Sequence, residues 1–286
     1  MRVRMEIMSK INKHFYAFQF NRKSSSSVKA FVKLMNQISF KQSALVADLE
    51  RFMPDTGLTR RLSQCGGYAC GSSPCSSACY WGERREIGLW LAVAARQMLH
   101  SEATIGLEFR YLGRAAAAGE LHRLDVRACG EALSATLREA ECSAGAFLAS
   151  ALITPRFDVW PDGRREWRLV YYTVLSAAEI YEEEARLRKA VAGTEFADGM
   201  SFYSSESEIF DWSCVAPIPE GEQLVARPRR SGKLKWYAEP LPPFLNAEYA
   251  RWLDETPLAD RMVIHGHDRL PPIEADMAEY GDTRPA

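Results

Sequence analysis

Four cysteines lie within fifteen residues of this chain: Cys65, Cys70, Cys75 and Cys79. Thiolates are soft ligands, and two pairs of them separated by turn residues can surround a tetrahedral Zn²⁺. The cluster therefore predicts a structural zinc site formed by these four side chains. Because the gap between the inner two cysteines is shorter than the usual gap between zinc-ligand pairs, two alternatives stay open. They are a metal-free loop, reduced or closed by a regulatory disulfide, and an iron–sulfur cluster.

A second cluster combines cations with aromatic rings between residues 227 and 237. The cations could neutralise backbone phosphates, and a neighbouring ring could stack on an unpaired base. The pattern predicts a nucleic-acid contact made by Arg229, Arg230, Lys233, Lys235 and Trp236. The alternative is a solvated hairpin turn whose Lys and Arg side chains protect a sheet edge.

The charge of the chain is divided unevenly between its two ends. Residues 1–90 carry 14 Lys and Arg against 6 Asp and Glu, a difference of +8, and residues 91–286 carry 22 against 31, a difference of −9. A basic region around a cysteine cluster is typical of a nucleic-acid surface. We expect sequence-independent phosphate contacts from the arginines beside the cysteines, Arg60, Arg61, Arg84 and Arg85. The alternative is that the basic region docks on the acidic part of the same chain.

Composition limits the class of protein. With 26% charged and 47% hydrophobic residues, the 286-residue chain has the composition of a globular protein with a core. The first ten residues lack the apolar stretch of a secretory signal, and no window approaches the roughly 20 apolar residues that span a bilayer. Seven cysteines, an odd number, argue against a disulfide framework. We therefore expect a cytoplasmic protein with no membrane partner.

The hydrophobic pattern predicts an α+β fold, with an antiparallel sheet and helices packed on one of its faces. A helical segment and the cysteine-rich metal-binding loop precede the sheet. The predicted helices cover residues 28–40, 44–52, 86–99, 125–140 (with Asp125 as N-cap) and 176–191. The predicted strands cover residues 104–112, 146–155 and 166–175, the last two joined by a turn at 160–163, and a hairpin joins residues 223–227 to 233–237.

The same pattern predicts five segments. They are a basic helical N-terminal segment (1–54), a cysteine-rich zinc-binding module with its helix (55–100), an α+β domain (101–195), a hairpin-containing C-terminal extension (196–265) and a disordered acidic tail (266–286).

Three stretches carry a resemblance to a known group of proteins. They are the arginine-flanked cysteine loop at 60–85, the strand Ile105–Leu112 with the following helix entry Gly119–Asp125, and the strand pair joined by Trp160–Gly163. Over about residues 55–195 the chain resembles rolling-circle replication initiators and related transposases of bacterial plasmids and mobile elements. The resemblance implies an α+β domain that acts on DNA.

The resemblance also implies a chemistry. Those enzymes nick DNA by attack of a tyrosine hydroxyl on a phosphate, which is polarised by a divalent cation bound to a His-hydrophobic-His pair on a central strand. The matching strand here, Glu166–Tyr172, contains no histidine. We therefore expect nicking to be lost, so that the chain is an inactive relative of a metal-dependent DNA-nicking and joining endonuclease. Tyr181 is at the position of the nucleophile, but it is surrounded by four glutamates that would repel phosphate.

A different metal-ligand set could come from His265, His267 and Asp268, because two histidines at i and i+2 on a strand face the same way. The alternative is a polar loop after a short strand. No phosphate-binding loop, nucleophile elbow or zinc-protease motif is present in the sequence.

Together these features predict a zinc-binding, DNA-binding protein related to rolling-circle initiators. Two other classes stay open: a non-enzymatic protein-interaction or regulatory module whose cysteine cluster is structural, and an iron–sulfur protein.

Overall fold

The structure of the chain is a computed structural model. It describes residues 41–54, 57–65, 76–79, 103–111, 114–144, 146–177, 185, 196–203, 222–229, 231 and 233–270, and eight positions between 86 and 100. The predicted helix at 28–40 and residues 271–286 of the predicted tail lie outside this part.

The helices are α1 (residues 41–52), α2 (Gly57–Ser63), α3 (Val126–Ala144), α4 (Pro243–Glu255) and α5 (Leu258–Arg261). The strands are β1 (Ala103–Tyr111), β2 (Leu148–Val159), β3 (Arg165–Ala177), β4 (Phe196–Tyr203), β5 (Glu222–Pro228), β6 (Leu234–Pro240) and β7 (Met262–His265). Single 3₁₀ turns occur at Leu121–Arg123 and His267–Arg269.

The described strands form one sheet in the order β4-β1-β3-β2-β5-β6, with β7 also paired to β2. All neighbours are antiparallel except β2 and β5, which are parallel over Phe157–Val159. β2 lies at the centre of the sheet, and eleven of its twelve residues are buried. Strands from both sides of the predicted segment boundary at 195/196 pair in this sheet. The predicted α+β class is confirmed.

Both faces of the sheet are covered. The main core lies on one face, where alternate residues such as Ile153 and Tyr171 pack with α3 and α4. On the opposite face, Trp90 and Ala94 from the helical residues of segment 86–97 pack on Val170 and its neighbours. The prediction of helices on one face is therefore wrong, because β2 and β3 are buried on both faces and need a layer on each side.

Several predicted elements are confirmed. The Oδ1 atom of Asp125 accepts a hydrogen bond from the backbone N–H of Ala128 at 3.0 Å, so Asp125 caps α3. Gly163, with a φ of +89°, closes the turn between β2 and β3. The predicted hairpin is present as β5 and β6. The strand predicted at 104–112 is present as β1.

Other elements differ from the prediction. Ser176 was expected to begin a helix but lies in β3, paired with Thr104 of β1 and Leu148 of β2. The helix α4 and the strand β4 were not expected. The helix α4 begins at Pro243, and a proline in the first turn favours the start of a helix.

One buried carboxylate attaches α4 to the rest of the core. Glu248 is 5% exposed, and its oxygens accept hydrogen bonds from the backbone N–H groups of Gly119 (2.9 Å) and Leu121 (2.6 Å) and from the indole N–H of Trp167 (2.8 Å). Three donors satisfy the charge, so this glutamate can be buried. It joins α4, the loop before α3, and β3.

Candidate nucleic-acid interface

The β5–β6 hairpin carries the predicted cations. Its seven residue pairs run from Glu222 opposite Pro240 to Pro228 opposite Leu234, and the backbone N–H of Arg229 donates to the carbonyl of Lys233 at 2.8 Å to close the turn. The side chains of Arg229, Lys233 and Lys235 are exposed. Arg230 lies outside the described residues. Three of the predicted cations are thus brought together at the end of one hairpin.

An exposed tyrosine lies between two cations on one face of this hairpin. The Cζ atom of Arg227 is 5.1 Å from the centre of the Tyr237 ring, and the Nζ atom of Lys235 is 4.6 Å from it. Tyr237 is 36% exposed. Arg227 also forms an ion pair with Glu239, whereas Lys235 remains exposed. We call Arg227, Arg229, Lys233, Lys235 and Tyr237 the basic hairpin surface.

Trp236 lies on the other face of the hairpin from Tyr237. Its half-buried ring meets Trp160 edge to face at a centroid distance of 4.7 Å. The guanidinium of Arg164 lies 4.9 Å from the ring of Trp160. The sequence prediction missed Trp160 and Arg164, although both lie in or beside the predicted turn at 160–163.

Arg164 is also bound to the turn itself. Its backbone N–H and its Nε donate to the carboxylate of Asp162 at 3.1 and 2.7 Å. These hydrogen bonds lower the pKa of Asp162 below its usual value, and the bond from the backbone N–H has the larger effect. The turn thus holds a cation against Trp160, and Trp160 in turn supports Trp236 and the hairpin.

Two of the four clustered cysteines lie in the described part of the chain. Cys79 is fully buried, and Cys65 is partly buried and packs against the same core. Cys70 and Cys75 lie outside the described residues, and no group of three potential metal ligands occurs within that part. The geometry therefore leaves the predicted zinc site as a prediction.

One carboxylate joins two parts of the chain that bracket three of the cysteines. Arg61, before Cys65, forms an ion pair with Asp254 of α4, and the hydroxyl of Ser76, between Cys75 and Cys79, donates to the other oxygen of Asp254 at 2.8 Å. Arg61, expected to contact phosphate, therefore already has an anionic partner within the chain. Arg60 is exposed on α2. Arg84 and Arg85 lie outside the described residues.

The two histidines near the C-terminus contact different partners. His265 ends β7, and its Nε2 lies 3.1 Å from a carboxylate oxygen of Glu141. Gly266 then takes a left-handed φ of +74°, so the chain turns, and His267 Nε2 lies 3.2 Å from the Gln97 side-chain oxygen. Burial lowers the pKa of His265, and burial followed by the charge of Arg96 lowers that of His267 to about 4. These histidines occupy a polar loop after a short strand, the alternative stated above for this segment.

The strand expected to carry metal-binding histidines in nicking enzymes is β3. Here Trp167 is fully buried and donates to Glu248, while Arg168 Nε donates to Glu166 at 2.8 Å. The side chains at these two positions of β3 therefore make contacts within the protein. Tyr181 lies outside the described residues.

Comparison with protein-family models, with curated proteins and with solved structures finds no match for this chain. Within the described residues, no helix is long and apolar enough to cross a membrane.

Proposed function

We propose that this chain binds single-stranded DNA through the basic hairpin surface. The observation that carries the proposal is the position of the exposed Tyr237 ring between Arg227 and Lys235. A base can stack on such a ring whatever its identity, and adjacent cations can neutralise the phosphates on either side of it. A duplex offers no unpaired base to Tyr237, so single strands are the preferred ligand.

The supporting cations lie in a row along the same end of the hairpin. Arg229 and Lys233 flank the turn, and Lys235 follows two residues later on β6. Because Arg227 opposes Lys235 and Val225 opposes Tyr237 in the register, Arg227, Lys235 and Tyr237 share one face. A strand of DNA that follows this face meets the ring first and the turn cations next.

Fluorescence anisotropy with a labelled single-stranded oligonucleotide tests this proposal. The double variant Arg229→Gln/Lys233→Gln removes two exposed cations from the turn and should weaken binding. The control is Arg127→Gln/Arg251→Gln, which removes the same charge from α3 and α4, where both arginines are exposed. Equal affinity of the two double variants would refute a contact at the hairpin.

We further propose that Cys65, Cys70, Cys75 and Cys79 hold one structural zinc ion. The support is the shared partner Asp254, because it brings together Arg61 and Ser76, which lie on either side of Cys65, Cys70 and Cys75, and a metal could hold a segment closed in this way. Elemental analysis of freshly purified, reduced protein should give one zinc per chain and no visible absorption band. Protein without bound metal would refute the zinc site, and a visible band would favour an iron–sulfur cluster.

We also propose that the chain is related to rolling-circle initiators and has lost the nicking activity. The support is that β3 has Trp167 and Arg168, not histidines, at the matching positions, and that Trp167 is committed to Glu248. Incubation with single-stranded DNA and Mg²⁺ or Mn²⁺ should give no covalent protein–DNA adduct. An adduct would show that the activity survives.

We place the protein in the cytoplasm. The support is Cys142, an exposed free thiol on α3, which a reducing compartment would preserve.

A further inference from the structure

The outer edge of β6 is a long exposed strand. Among the described strands, β6 ends the sheet and has β5 as its neighbour. Five of its seven residues are exposed and the other two are half-buried. In the described part of the chain four large apolar side chains are exposed, and two of them, Leu234 (43%) and Tyr237 (36%), lie on β6. An edge of this kind is a template for another strand.

The backbone of β6 presents hydrogen-bonding groups to that edge. The N–H of Arg229 donates to the carbonyl of Lys233, so Lys233 is a hydrogen-bonded position in the ladder between β5 and β6. In an antiparallel pair every second residue bonds to the neighbouring strand, and the residues between them direct their N–H and C=O groups to the other side. Lys235, Tyr237 and Glu239 consequently bond towards β5, whereas the N–H and C=O groups of Leu234 and Ala238 point away from it. Pro240, which has no N–H, falls at a position where the donor would point outward.

The sequence of β6 is complementary to itself when it is read in the opposite direction. In an antiparallel pair of β6 strands centred on Tyr237, Leu234 lies opposite Pro240, and Lys235 lies opposite Glu239. A two-fold axis repeats each contact, so the pair contains two Lys–Glu contacts and places the two Tyr237 rings side by side. A one-residue shift of this register would lose both charge contacts.

We propose that two copies of this chain associate through β6, paired antiparallel about a two-fold axis at Tyr237. The partner is therefore a second copy, and the interface is an edge-to-edge continuation of the sheet. Each Glu239 then lies between Arg227 of its own hairpin and Lys235 of the other copy. Pairing covers the edge of β6 and leaves both faces of the hairpin open, although Lys235 and Tyr237 belong both to this association and to the basic hairpin surface.

Sedimentation velocity or light scattering of the full chain, from about 1 to about 100 µM, tests the association. The expected mass rises towards twice the 32.2 kDa of one chain. Lys235→Glu should raise the dimer dissociation constant by roughly tenfold, because it places like charges opposite each other twice. Within its own hairpin the new carboxylate faces Arg227, so the variant should fold normally.

Two further variants make the test specific. The exchange Lys235→Glu/Glu239→Lys restores opposite charges across the axis and should restore the dimer. Ala238→Pro removes one outward N–H without removing a bond to β5, and should also weaken the dimer. The control is Lys233→Glu, which makes the same charge change at the turn, where the proposed register places Leu241 of the other copy.

A wild-type protein that stays monomeric over the whole range would overturn the proposal. So would a dimer that Lys235→Glu and Ala238→Pro leave unchanged, or failure of the exchange variant to dimerise when Lys235→Glu alone is monomeric. A monomer that still binds single-stranded DNA would overturn the association and leave the proposed function intact.

Discussion

Removal of the Glu248 carboxylate should destabilise the protein more than any surface substitution. Each hydrogen bond to a buried charged group contributes about 1.5–3 kcal/mol, and Glu248 accepts three, from Gly119, Leu121 and Trp167. The contributions are not additive, and water can enter the space left by truncation. We therefore expect Glu248→Ala to lower the free energy of unfolding by about 4 kcal/mol, within the range found when one partner of a buried charged contact is removed.

Glu248→Gln separates charge from volume. The amide keeps one acceptor oxygen but presents an NH₂ group to a donor, so its expected cost is about 2 kcal/mol. The matched control is Glu255→Ala on the same helix, whose side chain is 49% exposed and pairs with Arg251. Its cost should be at most about 0.5 kcal/mol.

Urea unfolding followed by tryptophan fluorescence measures these values, because Trp167 is fully buried and next to the site. The midpoint should fall in the order Glu255→Ala, Glu248→Gln, Glu248→Ala, with the slope unchanged. Equal midpoints for Glu248→Ala and Glu255→Ala would show that Glu248 does not hold α4 to the core.

Three further predictions concern the hairpin and the histidine loop. Tyr237→Leu should weaken binding to single-stranded DNA by about 1–3 kcal/mol in anisotropy titrations, whereas Tyr237→Phe, which keeps the stacking ring, should bind almost as wild type; equal losses would exclude stacking. Gly266→Ala should lower the melting temperature more than Gly163→Ala, although both glycines have positive φ. A Cβ at Gly266 would lie 2.5 Å from the carbonyl oxygen of Phe147, whereas nothing lies within 4 Å of a Cβ at Gly163. Equal decreases in melting temperature would contradict the close contact. The pKa of His267 is lowered from 6.5 to about 4 in the folded chain, so the unfolded chain binds more protons between these pH values, and the free energy of unfolding should fall as the pH drops through that window. In urea unfolding, His267→Gln should make the free energy of unfolding depend less on pH. An unchanged pH dependence would show that His267 does not cause it.

Local signals predicted much of the fold. Asp125 was identified as a cap because its side chain satisfies a donor three residues later, and the turn at Trp160–Gly163 because Pro and Gly favour it. The hairpin was identified in the same way. Each of these features depends on residues that are close in sequence.

Local sequence signals did not predict contacts between residues that are far apart in the sequence. Glu248 meets Leu121 across 127 residues, and in the sequence it is one more charged residue without a mark of burial. Trp160 and Trp236 come together because β2 pairs with β5 in parallel, an arrangement that local pattern does not specify. The ion pair of Arg61 with Asp254 likewise depends on α4, a helix that the sequence did not reveal.

The salt dependence of binding to single-stranded DNA tests the central claim most directly. Each neutralised phosphate contributes about −0.7 to the slope of log K against log salt concentration. Loss of two contacts in Arg229→Gln/Lys233→Gln should therefore make the slope shallower by about 1.4 relative to wild type. Identical slopes for the two proteins, or a wild-type affinity that does not change with salt, would contradict a phosphate contact at the basic hairpin surface.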